Sequence, residues 1–319
     1  MKKIFLLVLT AGFIISCSSK KNVAETTKDY TVKQESVKAT IQFLASDELK
    51  GRQSGSEELE QAADYLTDIL VKNGAKPYFA TFNDTLSNYP QTTYNIVGYF
   101  EGNDPKLKDE FVIFGAHYDH IGVSKNPPTL DSIYNGANDD ASGCTVLTEL
   151  ANYFGKTKSN KRSVMICFFS GEEEGLLGSR HLADKLAKQG LNIYTMVEFE
   201  MVGVPMQRDI LAYLTGWGTS NMGEKFNEYA GKNLIGNLPE AIKYQLFRRS
   251  DNYSFYLESH VPSQTLSTFD FTNFDYYHDV KDEFENMDLM HMTSFIQQII
   301  PVMDKMVNAP TKEIVLKEE

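Results

Sequence analysis

His117 and Asp119 close the segment FVIFGAHYD, and Asp139 and Asp140 open DDASG a short loop later. A neutral imidazole binds metals, and a carboxylate two residues on can hold its second ring nitrogen and orient the ring. Asp139 and Asp140 precede an apolar helical run (Val146, Leu147, Leu150), so they also suit a helix N-terminus, where carboxylates are stabilised. Capping alone explains either motif. Both within one short span favour a metal.

More donors stand at the ends of later apolar runs. SVMICFF (163–169) ends in Glu172, Glu173 and Glu174, and three charges at the edge of a core are costly unless paired. In YTMVEFEM, Glu198 and Glu200 alternate with Val197 and Phe199 and so share one face, with Glu200 at the end of the run. His278 lies in the loop segment YYHD. His117, Asp139, Glu173, Glu200 and His278 together are two imidazoles and three carboxylates, the ligand mix of a site for two Zn2+ ions. A bridging carboxylate, here Asp139, holds two metals about 3.5 Å apart and leaves room for a water whose pKa falls toward neutrality. Glu172 remains free to take its proton.

These donors need strands that end together. The run 111–114 is apolar and β-branched, as in a strand buried on both faces of a parallel sheet, and the crevice beyond such strand ends is where ligands bind. Helical spacing over 37–44 and 57–72 gives each segment one face to bury. Strands are expected at 93–100, 163–169, 194–201, 210–214 and 262–266, the first forming a hairpin with the strand at 111. Helices are expected up to 188, at 221–230, after Ser250-Asp251-Asn252 and over 288–306. Strand, helix, strand alternation implies right-handed crossovers and a mostly parallel sheet.

The chain has 319 residues, 42% of them hydrophobic, enough for one large α/β domain. Its net charge of -12 repels phosphate backbones, so no nucleic acid is expected as a partner. MKKIFLLVLTAGFIISC reads as a signal peptide, and Ile14-Ile15-Ser16-Cys17 resembles the lipobox of bacterial lipoproteins. The expected organisation is a lipoprotein-type leader over 1–17, a flexible tether over 18–34 and the folded domain over 35–319. The protein is then exported and held in the cell envelope by a lipid on Cys17. Cys144 and Cys167 are expected as buried free thiols.

GAHYDHIG, NGANDDASG, SGEEEGLLGSR, EMVG and YHDVKDEFENMD, in this order, resemble the family-28 metallopeptidases, and LASDELKGRQSG resembles the opening of that family. These include bacterial secreted aminopeptidases, glutamate carboxypeptidases and glutaminyl cyclases. The resemblance implies a single three-layer α/β/α domain with a mixed, mostly parallel central sheet, of the phosphorylase/hydrolase-like zinc-exopeptidase kind. It places His117 and Glu200 on one zinc, Glu173 and His278 on the other, Asp139 between them, Glu172 as general base and Asp119 behind His117. It also implies a cis peptide after Asp139. The family's usual residue before Met201 is Asp. Glu200 is one methylene longer and is still the expected ligand because it precedes Met-Val-Gly, with Glu198 as the substitute. His120 is given no role, because alternation turns it away from His117.

The implied activity is a two-zinc exopeptidase releasing amino-terminal residues from a peptide substrate by means of a metal-activated water. Glutaminyl cyclase chemistry and a non-catalytic, receptor-like relative are the alternatives, and the full set of five donors argues against both. A carboxypeptidase is a further alternative, since Arg248 and Arg249 could clamp a substrate carboxylate. The short span between His117 and Asp139 leaves no room for an inserted domain, which favours a compact aminopeptidase.

Overall fold

Along each central strand the side chains sort alternately into two separate cores, as the two-residue period of a strand requires. Val112 and Phe114, Val164 and Ile166, and Val197 and Phe199 enter one core, whereas Ile113, Met165, Cys167 and Met196 enter the other. The computed structural model describes residues 29–127 and 130–318.

The chain opens with helices α1 (Gln34–Leu44) and α2 (Glu57–Lys72), followed by strands β1 (Lys76–Pro77), β2 (Asn83–Thr85), β3 (Tyr94–Phe100) and β4 (Phe111–His117). A small ribbon, β5 (Gly122–Val123) with β6 (Ile133–Tyr134), leads to α3 (Ser142–Thr157), β7 (Ser163–Phe169), α4 (Leu177–Lys188) and β8 (Ile193–Phe199). Then come β9 (Ala212–Leu214), α5 (Met222–Ala230), β10 (Ile235–Gly236), α6 (Pro239–Lys243), α7 (Asn252–Ser259), β11 (Ser263–Ser267) and α8 (Leu289–Asn308). The main sheet runs β1-β3-β7-β4-β8-β11-β9-β10, with β2 also on β3. Its centre, β7-β4-β8-β11, is parallel. Helices α1, α2, α3, α5 and α8 cover the larger core, and α4 and α7 cover the smaller one. This is the expected three-layer arrangement.

Local chemistry sets the helix ends. Ser56 caps α2 by accepting from the Leu59 amide at 3.0 Å, and Asp288 caps α8 by accepting from His291 at 2.9 Å. Cys144 and Cys167 are free and buried in the two different cores, so the sheet separates them.

Two expectations give way. No hairpin joins β3 to β4: β7 lies between them, antiparallel to β3 (Ile96 opposite Phe168) and parallel to β4 (Phe114 opposite Ile166). All seven β7 residues are buried, and a strand so apolar on both faces belongs inside the sheet with neighbours on both edges. The tether expected over 18–34 ends sooner, because Tyr30 and Val32 are buried. The Val32 amide donates to Gln297 at 2.9 Å, and Tyr30 packs edge-on against Tyr153. The rest of the tether and the leader, residues 1–28, lie outside the described residues.

Candidate metal centre

The strand order reverses at β4. From β4 the chain passes through α3 to β7 on one side, then through α4 to β8 on the other. The carboxyl end of β4 is therefore a topological switch point, where the adjoining loops diverge and leave a crevice. His117 is the last β4 residue, Glu172 and Glu173 follow β7, and Glu200 follows β8. His278 arrives from the loop after β11.

All five expected donors converge there. Asp139 Oδ1 lies 3.0 Å from His117 Nε2, and Asp139 Oδ2 lies 3.2 Å from His278 Nε2. His278 Nε2 is also 3.2 Å from Glu173 Oε2. Donor atoms of His117, Asp139 and Glu200 all fall within 4.8 Å of one another, and so do those of His120, Asp139 and Glu173. Asp139 thus belongs to both groups. The adjacent glutamates diverge: Glu172 lines the cleft, Glu173 meets the imidazoles, and exposed Glu174 accepts from the Tyr89 hydroxyl at 3.1 Å.

Buried residues aim the donors. Asp282 accepts from the amides of Asn138 at 2.7 Å and Asp139 at 3.0 Å, and the Asp139–Asp140 peptide is cis, as expected. Asp140 accepts from Gly143 at 3.0 Å in the first turn of α3 and from Met201 at 3.2 Å, tying the residue after Glu200 to that turn. A Cβ on Gly143 would sit 2.0 Å from the Phe199 carbonyl oxygen, so only glycine allows this approach.

Arg52 is fully buried and donates to four carbonyls, of Leu44, Tyr118 at 2.8 Å, Asn135 at 2.6 Å and Gly136 at 3.1 Å. It thereby joins the segments carrying His117 and Asp139. Charge-assisted bonds of this kind contribute about 1.5–3 kcal/mol each and are not additive. Arg52→Ala is expected to cost about 3–5 kcal/mol, read as a lower urea midpoint; an unchanged midpoint contradicts this.

The donor atoms fit a cation. His117 Nε2, Glu173 Oε1 and both ring nitrogens of His120 are buried and have no hydrogen-bond partner among the described residues, although they converge. Unsatisfied buried polar atoms are rare and call for a ligand. Burial, then Glu198 and Asp139, push the Glu200 carboxyl up to about 8. Burial works against charge on His278, but Asp139 and Glu173 prevail and raise it to about 10. Burial likewise opposes charge on His117, yet Asp139 and the neighbouring carboxylates raise it well above the usual imidazole range. All three groups hold protons at pH 7 and must lose them to bind a metal. Zinc binding to metal-free protein at pH 7 is therefore expected to release roughly three protons, and affinity should rise with pH through about 8 and on toward about 10. Calorimetry in buffers of different ionisation enthalpy measures this; a buffer-independent heat contradicts it.

Residues 95–303 match Peptidase family M28. The chain belongs to this family. A probable zinc metalloprotease of Pyrenophora tritici-repentis is 35% identical over 115 residues, 36% of this chain and 25% of that protein. The vacuolar membrane protease of Schizosaccharomyces pombe is 27% identical over 228 residues, 67% of this chain and 25% of that protein. The M28 chain thus spans about a quarter of the length of these relatives. The LapA aminopeptidase of Legionella pneumophila superposes with a TM-score of 0.67 at 20% identity, covering 95% of this chain and 78% of its own. The Porphyromonas gingivalis glutaminyl cyclase does so with 0.67 at 18%, covering 86% and 98%. These two likenesses show the fold.

Within this M28 chain three residues stand differently from expectation. Strand β4 stops at His117, so the alternation that turned His120 away no longer applies; His120 Nδ1 lies 2.6 Å from Glu173 Oε1. For the same reason Asp119 holds His117 through its backbone: its carbonyl accepts from Nδ1 at 3.1 Å, while its carboxylate oxygen is 3.8 Å away. That carboxylate instead accepts from Ser54 at 3.0 Å and from the Glu172 amide at 3.3 Å, so it steadies the loop of the expected base. Glu198, the substitute ligand, is engaged elsewhere. It accepts from the amides of Asp251 and Asn252 at the head of α7 and from Thr265. Arg248 and Arg249 are exposed and line the cleft of about 370 Å³ that also contains Glu172, Glu173, Glu200 and His278. No signal in the sequence singled out Arg52 or Asp282 as supports of the site.

Proposed function

We propose that this M28 protein is a two-zinc exopeptidase that removes amino-terminal residues from peptides. The observation that carries the reading is Asp139, which belongs to both donor groups and whose two oxygens face His117 and His278 separately. In it, His117 and Glu200 hold one ion, Glu173 and His278 the other, and Asp139 both. Two zinc ions supply Lewis acidity at the scissile carbonyl and a water acidic enough to be deprotonated near neutral pH. Glu172 takes that proton and returns it to the leaving amine. Burial, reinforced by Glu200, Asp251 and Glu173, holds its carboxyl well above the usual range, as suits a group that must carry a proton between two transfers. The Asp119 carboxylate fixes Glu172 through its amide, and the excess of carboxylates suits a substrate's free ammonium.

The test pairs zinc analysis with reporter peptides. Two zinc ions per chain and cleavage of unblocked amino-acyl reporters are expected, with amino-acetylated ones resistant. Absence of stoichiometric metal overturns the reading. Cleavage only at the carboxy terminus of blocked peptides would mark a carboxypeptidase, a second reading favoured by Arg248 and Arg249, and cyclisation of amino-terminal glutamine would mark a cyclase.

We also propose the arrangement of leader, tether and domain, with Cys17 lipid-anchored in the cell envelope. Among the described residues no helix is long and apolar enough to cross a membrane. Cys17→Ser is expected to shift the protein from the membrane to the soluble fraction; an unmodified mature terminus on mass spectrometry contradicts this.

A further inference from the structure

His120 is fully buried, yet neither ring nitrogen has a hydrogen-bond partner among the described residues. Its Nδ1 is only 2.6 Å from Glu173 Oε1, itself without a hydrogen bond. Donor atoms of His120, Asp139 and Glu173 all lie within 4.8 Å of one another, so this ring belongs to a cluster able to hold a cation. His117 shows the same signature, with Nε2 unpartnered 3.0 Å from Asp139 Oδ1.

The ring packs on Gly136, which takes φ +58°: a Cβ there would lie 2.2 Å from the Asp139 carbonyl oxygen and 2.6 Å from His120 Cγ and Cδ2. The His120 amide donates to the Arg52 carbonyl at 3.2 Å, so the buried arginine's own segment fixes the ring's position. His278 contrasts with it: its side chain is 37% exposed, it sits in a loop at φ +55°, and it stacks on Tyr277 with centroids 4.0 Å apart.

We propose that His120 is a sixth protein ligand, binding the ion on the Glu173 side through Nδ1. That ion is then held by Glu173 with the buried Asp139 and His120, and by His278 as an outer imidazole. The two sides differ accordingly: one imidazole at the Glu200 side, two at the Glu173 side. The inference rests on the two-metal reading above and adds a residue that reading does not use.

The decisive experiment loads the mature protein, labelled with nitrogen-15 histidine, with cadmium-113 and reads metal–nitrogen couplings by NMR. Couplings at His117, His278 and His120 Nδ1 are expected. Couplings at His117 and His278 but none at His120 overturn this inference alone and make His120 a mere partner of Glu173. No coupling at any histidine, with no stoichiometric metal, overturns the two-metal reading instead. In a second measurement, His120→Phe, which keeps a ring over Gly136, is titrated with zinc from the metal-free state. One site should weaken by more than about 100-fold, beyond what loss of a residue behind a ligand typically causes, and the other should hold its affinity. Unchanged affinity at both sites overturns the proposal.

Discussion

Glu172→Gln is expected to lower kcat by about a hundredfold to ten-thousandfold while two zinc ions stay bound, the range for loss of a positioned general base. The glutamine keeps the shape of the side chain but cannot accept a proton. KM should move little, because the lost interaction belongs to the transition state. Glu173→Gln is the control: Glu173 itself meets His120 and His278, so that variant should lose metal from one side. Initial rates on an amino-acyl reporter with zinc analysis of the same samples decide the matter. If Glu172→Gln turns over near the wild-type rate, or is the variant that loses zinc, the division of roles is wrong.

Asp139→Ala is expected to have the larger effect, because Asp139 is common to both donor groups. Both zinc ions should be lost on dialysis, and the rate should fall beyond the roughly ten-thousandfold upper end set by loss of the base. The fold should persist, since Asp282 holds this turn through backbone amides. The metal-free variant should therefore unfold at a temperature close to that of the metal-free wild type. Retention of two zinc ions would remove Asp139 from the bridging position.

Signals carried by a few consecutive residues were legible in the chain by itself. The apolar runs of β4, β7 and β8 announce buried strands by composition alone, and a donor just past each run must emerge at the same edge of a parallel sheet. That logic reached His117, Glu173 and Glu200, and the carboxylate pair ahead of a helix start led to Asp139 as the bridging donor. Strand order lay beyond it: whether β3 pairs with β4 or with β7 depends on which edges compete for a strand buried on both faces, a comparison between segments some seventy residues apart. The same holds for the supports of the site. Arg52 and Asp282 act on backbone groups of distant loops, and backbone carbonyls and amides are identical at every position, so no residue type marks them as targets. His120 and Asp119 were placed by strand periodicity, which fails where β4 ends at His117 and the chain leaves the pleat. Glu198 was judged by its charge, whereas its partners, the head of α7 and Thr265, reach it only through folding. Donor types and strand ends are local properties, written residue by residue. Which atom of each donor faces the centre is decided by packing between segments far apart in the chain, and only the tertiary structure holds that.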